Sequence, residues 1–142
     1  MSKQKRDLWV AIVAVLFGST GVLAQGSSAA LGELMEVQQQ LLCVTVTKQV
    51  ESDVKNVTAI LDSVRSPSRD AAYTCRGFRN AANDVKALSK DVGIMNEECK
   101  NTEYRLDDGT RWIDVVSKHG KAHSAIIAVH AETLSKCAAA GI

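Results

Sequence analysis

Three histidines fall close together near the end of a 142-residue chain: His119, His123 and His130. On a helix turning about 100° per residue they project at roughly 0°, 40° and 20°, which is one face. Imidazole is the side chain that changes charge between about pH 5 and 8, and two of them spaced i, i+4 can chelate a metal ion. His119 and His123 are therefore the candidate metal pair. His130 lies about 10 Å further along the axis, so the three do not share one ion unaided. The run His-Gly-Lys-Ala-His also lacks the glutamate that follows the first histidine in H-E-x-x-H metalloproteases. The competing reading is three partly buried histidines hydrogen-bonded to neighbours or water.

Four cysteines make the second set: Cys43, Cys75, Cys99 and Cys137. No C-x-x-C occurs, which removes a close-spaced zinc half-site and a thioredoxin-type redox pair. No C-x-x-C-H occurs either, which removes covalent haem attachment. An even, widely spaced set in an exported chain reads as two structural disulfides.

Other candidates are weaker. Asn56-Val57-Thr58 is a glycosylation sequon, relevant in a eukaryotic host. The acidic stretch 97–108 lacks the ligand order of a calcium-binding hand. There is no G-x-S-x-G, no phosphate-binding loop and no nucleophile with an identifiable base, so the sequence assigns no catalytic residue and no cofactor.

Export follows from the first residues. Lys3, Lys5 and Arg6 precede an uncharged apolar run over residues 8–17, and Gly18 and Gly21 break it. Val22-Leu23-Ala24 places short side chains before a cleavage point at Ala24–Gln25. That is the three-part pattern of a signal peptide over residues 1–24. The apolar stretch is shorter than the roughly 20 residues of a spanning helix, so no membrane span is expected after cleavage.

Removing those 24 residues from 142 leaves 118, one domain's worth, covering residues 25–142. Of the 17 basic residues 14 remain, and of the 16 acidic residues 15 remain, a net charge of −1 with histidine neutral. The basic residues are dispersed. Nothing here is an electrostatic footprint for nucleic acid or an anionic membrane.

The elements that must carry these residues are helices. Cys43, Val46, Val50, Val54, Val57, Leu61 and Val64 recur at steps of three and four, which predicts one amphipathic helix over 31–64. Val44-Thr45-Val46-Thr47 could alternate as a strand, but helical spacing continues on both sides. Ser66-Pro67 reads as the cap and first position of a second helix, with Cys75, Phe78, Ala82, Val85, Leu88 and Val92 on one face and Gly93 at its end. Residues 94–109 read as an irregular acidic loop with a short helical turn near Cys99. Asp108-Gly109 is a turn signal, and Thr110 would cap a last helix over 111–138, with a bend expected at Gly120. The fold class is all-α: an up-down-up three-helix bundle, or four helices if the loop or the first helix divides.

That topology chooses the cysteine pairing. Cys75 lies nine residues beyond Ser66 and Cys43 lies 23 residues before it. The height mismatch is roughly 20 Å at 1.5 Å per residue, against a Cα separation of about 4.4–6.8 Å in a disulfide. Cys43–Cys99 and Cys75–Cys137 are the pairs that fit.

Such a chain reads as a periplasmic or secreted bundle that acts by binding another protein, as inhibitor, immunity protein, adaptor or subunit of an envelope or secretion apparatus. Leu31, Leu34, Met35, Leu41 and Leu42 form an apolar set on the first helix beyond what a short bundle covers. A protein partner, or a homodimer through that helix, would bury it. The alternative is a carrier of a small ligand, metal or haem on the face of His119, His123 and His130.

Overall fold

The computed structural model describes residues 28–142, so the Ala24–Gln25 cleavage point lies outside the described residues. Four helices account for most of them: α1 (Ser28–Val64), α2 (Ala71–Asn80), α3 (Ala82–Cys99) and α4 (Trp112–Ala139). The described residues divide into two units, a first that ends at Val37 and a second, Gln38–Ile142. The second holds the bundle and both disulfides.

The 37 residues of α1 form one unbroken helix. The β-branched run within it stays helical because its hydroxyls turn back on the helix. Thr45 Oγ1 donates to the Leu41 carbonyl at 2.8 Å and Thr47 Oγ1 to that of Cys43 at 2.7 Å. This i to i−4 bonding satisfies a hydroxyl that would otherwise compete with the ladder. The expected stripe is the one that packs: Cys43, Val46, Val50, Val57 and Leu61 are buried, with Val54 and Val64 partly so.

The second helix starts later than Ser66-Pro67 predicts. Ser66 accepts from Arg69 N at 2.9 Å, which places Pro67 in a turn. The cap is Asp70, whose carboxylate accepts from Tyr73 N at 2.6 Å. A carboxylate at that position also meets the positive end of the helix dipole.

Two further expectations are corrected in this segment. The helix is interrupted at Ala81, which is buried, whereas Ala82 faces solvent. And Gly93 does not end it. Gly109 and Gly141 are the described glycines with positive φ, so Gly93 keeps a helical backbone instead of the left-handed turn that closes a helix. The helix runs on to Cys99, and the apolar spacing runs with it: Phe78, Ala81, Val85, Leu88, Val92, Met95 and Cys99 are all buried. What looks like an acidic loop is therefore helical as far as Cys99, with Glu97 exposed and Glu98 partly buried.

Residues 100–111 make the remaining loop. Leu106 and Thr110 bond across a tight turn, Gly109 N donates to the Leu106 carbonyl at 2.8 Å, and Gly109 sits at φ 85°. That is the left-handed position at which glycine is favoured. Thr110 is occupied in this turn and does not cap α4. Arg111 precedes the helix and holds Asp114 through two contacts of 2.9 and 3.0 Å. Gly120 lies inside α4, which continues unbroken to Ala139.

Contacts along the helices fix the up-down-up order. Thr74 Oγ1 donates to the Val64 carbonyl at 2.8 Å, joining the end of α1 to the start of α2. Near the middle of α1, 21 residues before Val64, Cys43 is bonded to Cys99, with Cα atoms 4.9 Å apart. Cys75 is bonded to Cys137 with Cα atoms 5.8 Å apart, so α4 runs antiparallel to α2 and α3. Both expected pairs are present. The half-cystines stand 56 and 62 residues apart. Closing loops of that size removes unfolded-chain entropy equivalent to about 4 kcal/mol each.

Gly77 marks a close approach between α1 and α2. A Cβ built there would lie 2.6 Å from Val64 Cβ and Cγ1. Val64 is β-branched and stiff, so it does not swing away. Nothing lies within 4 Å of a Cβ at Gly93. We therefore expect Gly93→Ala to gain about 1 kcal/mol from helix propensity, and Gly77→Ala to lose about 1–3 kcal/mol from overpacking. Urea unfolding of the oxidised protein measures both; equal stabilisation by the two would contradict the close packing at Val64.

Candidate functional site

The histidine face is built by α4, but each ring meets a different neighbour. His130 is buried, and its Nε2 lies 2.8 Å from the Phe78 carbonyl. A carbonyl only accepts, so Nε2 carries the proton and donates. Phe78 lies in the last turn of α2, where main-chain carbonyls run out of helical partners. The imidazole supplies one, and its ring stacks on that of Phe78 with centroids 5.9 Å apart. His130 thus secures the α2–α3 junction.

His123 meets α3. Its Nε2 lies 2.9 Å from Ser89 Oγ, which in turn donates to the Val85 carbonyl at 3.0 Å. The serine has one hydroxyl proton and spends it on Val85, so His123 Nε2–H donates to Ser89. Neither His123 nor His130 offers an Nε2 lone pair to a metal.

His119 is half-buried on the side of α4 nearer α1, where it and Glu51 feel each other's charge. Burial pushes its imidazole below the ordinary value. The Glu51 carboxylate pulls the other way, and Lys118 and Lys55 add to the fall. Glu51 is itself committed to Lys55 at 3.0 Å. The candidate pair His119 and His123 is therefore split between two neighbouring helices. Among the described residues no three His, Cys, Asp or Glu side chains are grouped to hold a metal ion.

A buried polar cluster that sequence reading missed lies beside the Cys43–Cys99 bond. Trp112 Nε1 donates to Thr47 Oγ1 at 3.2 Å, and Thr47 Oγ1 lies 3.5 Å from Cys99 Sγ. The sequence signal was available: Thr47 lies one position from the Val46 stripe, and Trp112 opens the last helix at the level of Cys43.

An open groove of about 480 Å³ runs between α3 and α4, where Gly120 contributes no side chain. Its lining is mixed: Val92 and Val116 at the base, with Asn96, Ser117, Lys121, His123 and Ser124 around them. A small-molecule pocket is typically enclosed and mainly apolar, and this groove is neither. A second hollow of about 380 Å³ lies among Gln39, Glu97, Glu98, Lys100 and Asn101. Gln39 Nε2 bonds there to both the carboxylate and the carbonyl of Glu98.

The larger anomaly is convex. In the first unit, Leu31, Leu34, Met35 and Val37 on α1 are 50%, 50%, 70% and 63% exposed. On a helix they spread over roughly 160° of the circumference. Glu33 and Glu36 take the opposite side, and no Lys or Arg occurs between Ser28 and Thr47. In the second unit, Leu41 is also exposed, while Leu42 is partly buried. No helix of the described residues is long and apolar enough to cross a membrane.

No protein-family model, curated protein or solved structure matches the chain.

Two measurements test the roles assigned to the histidines. His130→Phe keeps the stacking but leaves the Phe78 carbonyl without its donor, and is expected to cost about 1–3 kcal/mol. His119 acts through pH. Its folded-state affinity for a proton is lowered, so the unfolded chain binds the proton more readily. Its contribution is complete above about pH 6.5 and is lost as pH falls through the lower folded value. The urea midpoint should fall with acidification over that window, and His119→Gln should flatten the fall. An unchanged slope in the variant would contradict the burial of His119.

Proposed function

We propose that this protein is an exported interaction module: a disulfide-pinned helical bundle that docks on another protein through Leu31, Leu34, Met35 and Val37. The observation that carries the reading is their exposure, from 50% to 70%. Single exposed apolar residues are ordinary on soluble proteins, but four within two turns of one helix form a patch. Ile60, Tyr73 and Ile127, at 37–39%, are by contrast isolated.

The shape and charge of the face indicate what covers it. A two-stranded coiled coil buries a narrow seam. A face about 160° wide fits a groove that wraps the helix on both sides, the helix-in-groove mode of recognition. Glu33 and Glu36 lie on this helix with no base within its first 20 residues. The matching groove is apolar, with Lys and Arg on its rim. The same acidic charge disfavours an anionic lipid surface. The two disulfides suit an oxidising compartment, periplasmic or extracellular. Inhibitors, immunity proteins, adaptors and envelope subunits all work by such docking. No observation favours the carrier of ligand, metal or haem.

A photoreactive residue placed at Met35 tests the proposal in the compartment that receives the mature chain. One adduct with a different protein is expected, absent when the photoreactive residue is at exposed Asn83 and lost on adding Leu34→Asp. Because Leu34 is exposed, that substitution should leave bundle stability within about 0.5 kcal/mol. Cross-linking to a second copy, or no adduct from Met35, would overturn the assignment.

A further inference from the structure

We propose that Asn56 is an acceptor for an N-linked glycan. Asn56-Val57-Thr58 has the acceptor order, and the other asparagines (Asn80, Asn83, Asn96 and Asn101) lack Ser or Thr two residues on. The bundle turns the motif the right way. Val57 is buried in the core at 4% exposure, which aims Asn56 and Thr58 outward on either side of it; both are exposed. Among the described residues none hydrogen-bonds the Asn56 amide or the Thr58 hydroxyl through a side chain. Thr45 and Thr47, on the same helix, have their hydroxyls tied back to the backbone. The neighbouring surface is open as well. Ser52 and Ala59 are exposed, and Lys55 is held by Glu51. Ile60, one turn beyond Asn56, is 39% exposed, and a sugar at Asn56 would lie over it.

The reaction draws on an oligosaccharide carried by a polyprenyl pyrophosphate. The Asn56 amide nitrogen bonds to the anomeric carbon of the first sugar. The bond from that carbon to the phosphate oxygen breaks, the pyrophosphate departs on its lipid, and the amide gives up one proton. In a eukaryotic host the lumen that supplies this donor is also oxidising, which suits the bonds Cys43–Cys99 and Cys75–Cys137. The inference rests on the export reading but not on the docking face.

The test is expression of the full chain in cultured insect cells, in parallel with the same chain delivered by a strong heterologous leader. Intact mass is read before and after an amidase that releases N-glycans and leaves aspartate in place of the asparagine. The expected result is a glycan on the heterologously delivered chain, with aspartate appearing at position 56 after release. Asn56→Gln and Thr58→Ala should abolish it, and Thr58→Ser and Asn101→Gln should retain it. A delivered chain with both disulfides formed and Asn56 unmodified would overturn the proposal. Failure of the native leader alone to deliver the chain would count against export and leave the acceptor result standing.

Discussion

Cys43 and Cys99 are bonded where the early part of α1 meets the end of α3, and neither is reached by solvent. The second bond, Cys75–Cys137, ties the start of α2 to the end of α4. Together they join the three legs of the bundle and set their register. Thr47 can receive the Trp112 indole, Ser89 can receive His123, and the Phe78 carbonyl can receive His130 only in that register. Each of these bonds links two legs at a different height. The apolar core then fills the space between three stripes already aligned, and the helices come close where Gly77 faces Val64.

This arrangement explains why the three histidines do not converge on one point. A polar group carried into a helix interface must find a partner there or cost stability. His130 and His123 do so with one carbonyl and one hydroxyl, each on a different turn of the α2–α3 leg. His119 turns toward α1 and remains partly hydrated. Sharing a face on one helix does not bring side chains to one point when that face is packed against two others. Five ion pairs among the described residues join exposed side chains three or four residues apart, such as Lys136 with Glu132. Such pairs contribute little to stability. Against that background the apolar first turns of α1 stand out.

Much of the fold was legible because burial repeats. The α1 stripe, the pairing of four cysteines and the last helix follow from spacing at three and four together with helix rise. The errors fall where a local signal competes with that spacing. Gly93 reads as a stop, yet Met95 and Cys99 continue the stripe, and their burial outweighs the glycine. Ser66-Pro67 reads as a start, yet Asp70 is the better cap. Ala82 for Ala81 is a shift of one residue, invisible without the break between α2 and α3. The histidine face was legible as a face but not as three separate bonds, since those depend on which residues the other legs bring alongside. The acceptors of His123 and His130, Ser89 and a main-chain carbonyl, carry no signal in the sequence.

The register of the three legs is the central claim, and proteolysis without reduction tests it most directly. Digestion of the oxidised mature chain, with thiols blocked beforehand, should yield linked peptides containing Cys43 with Cys99 and Cys75 with Cys137, and no free cysteine. Linkage of Cys43 to Cys75, or of Cys99 to Cys137, would contradict the up-down-up bundle.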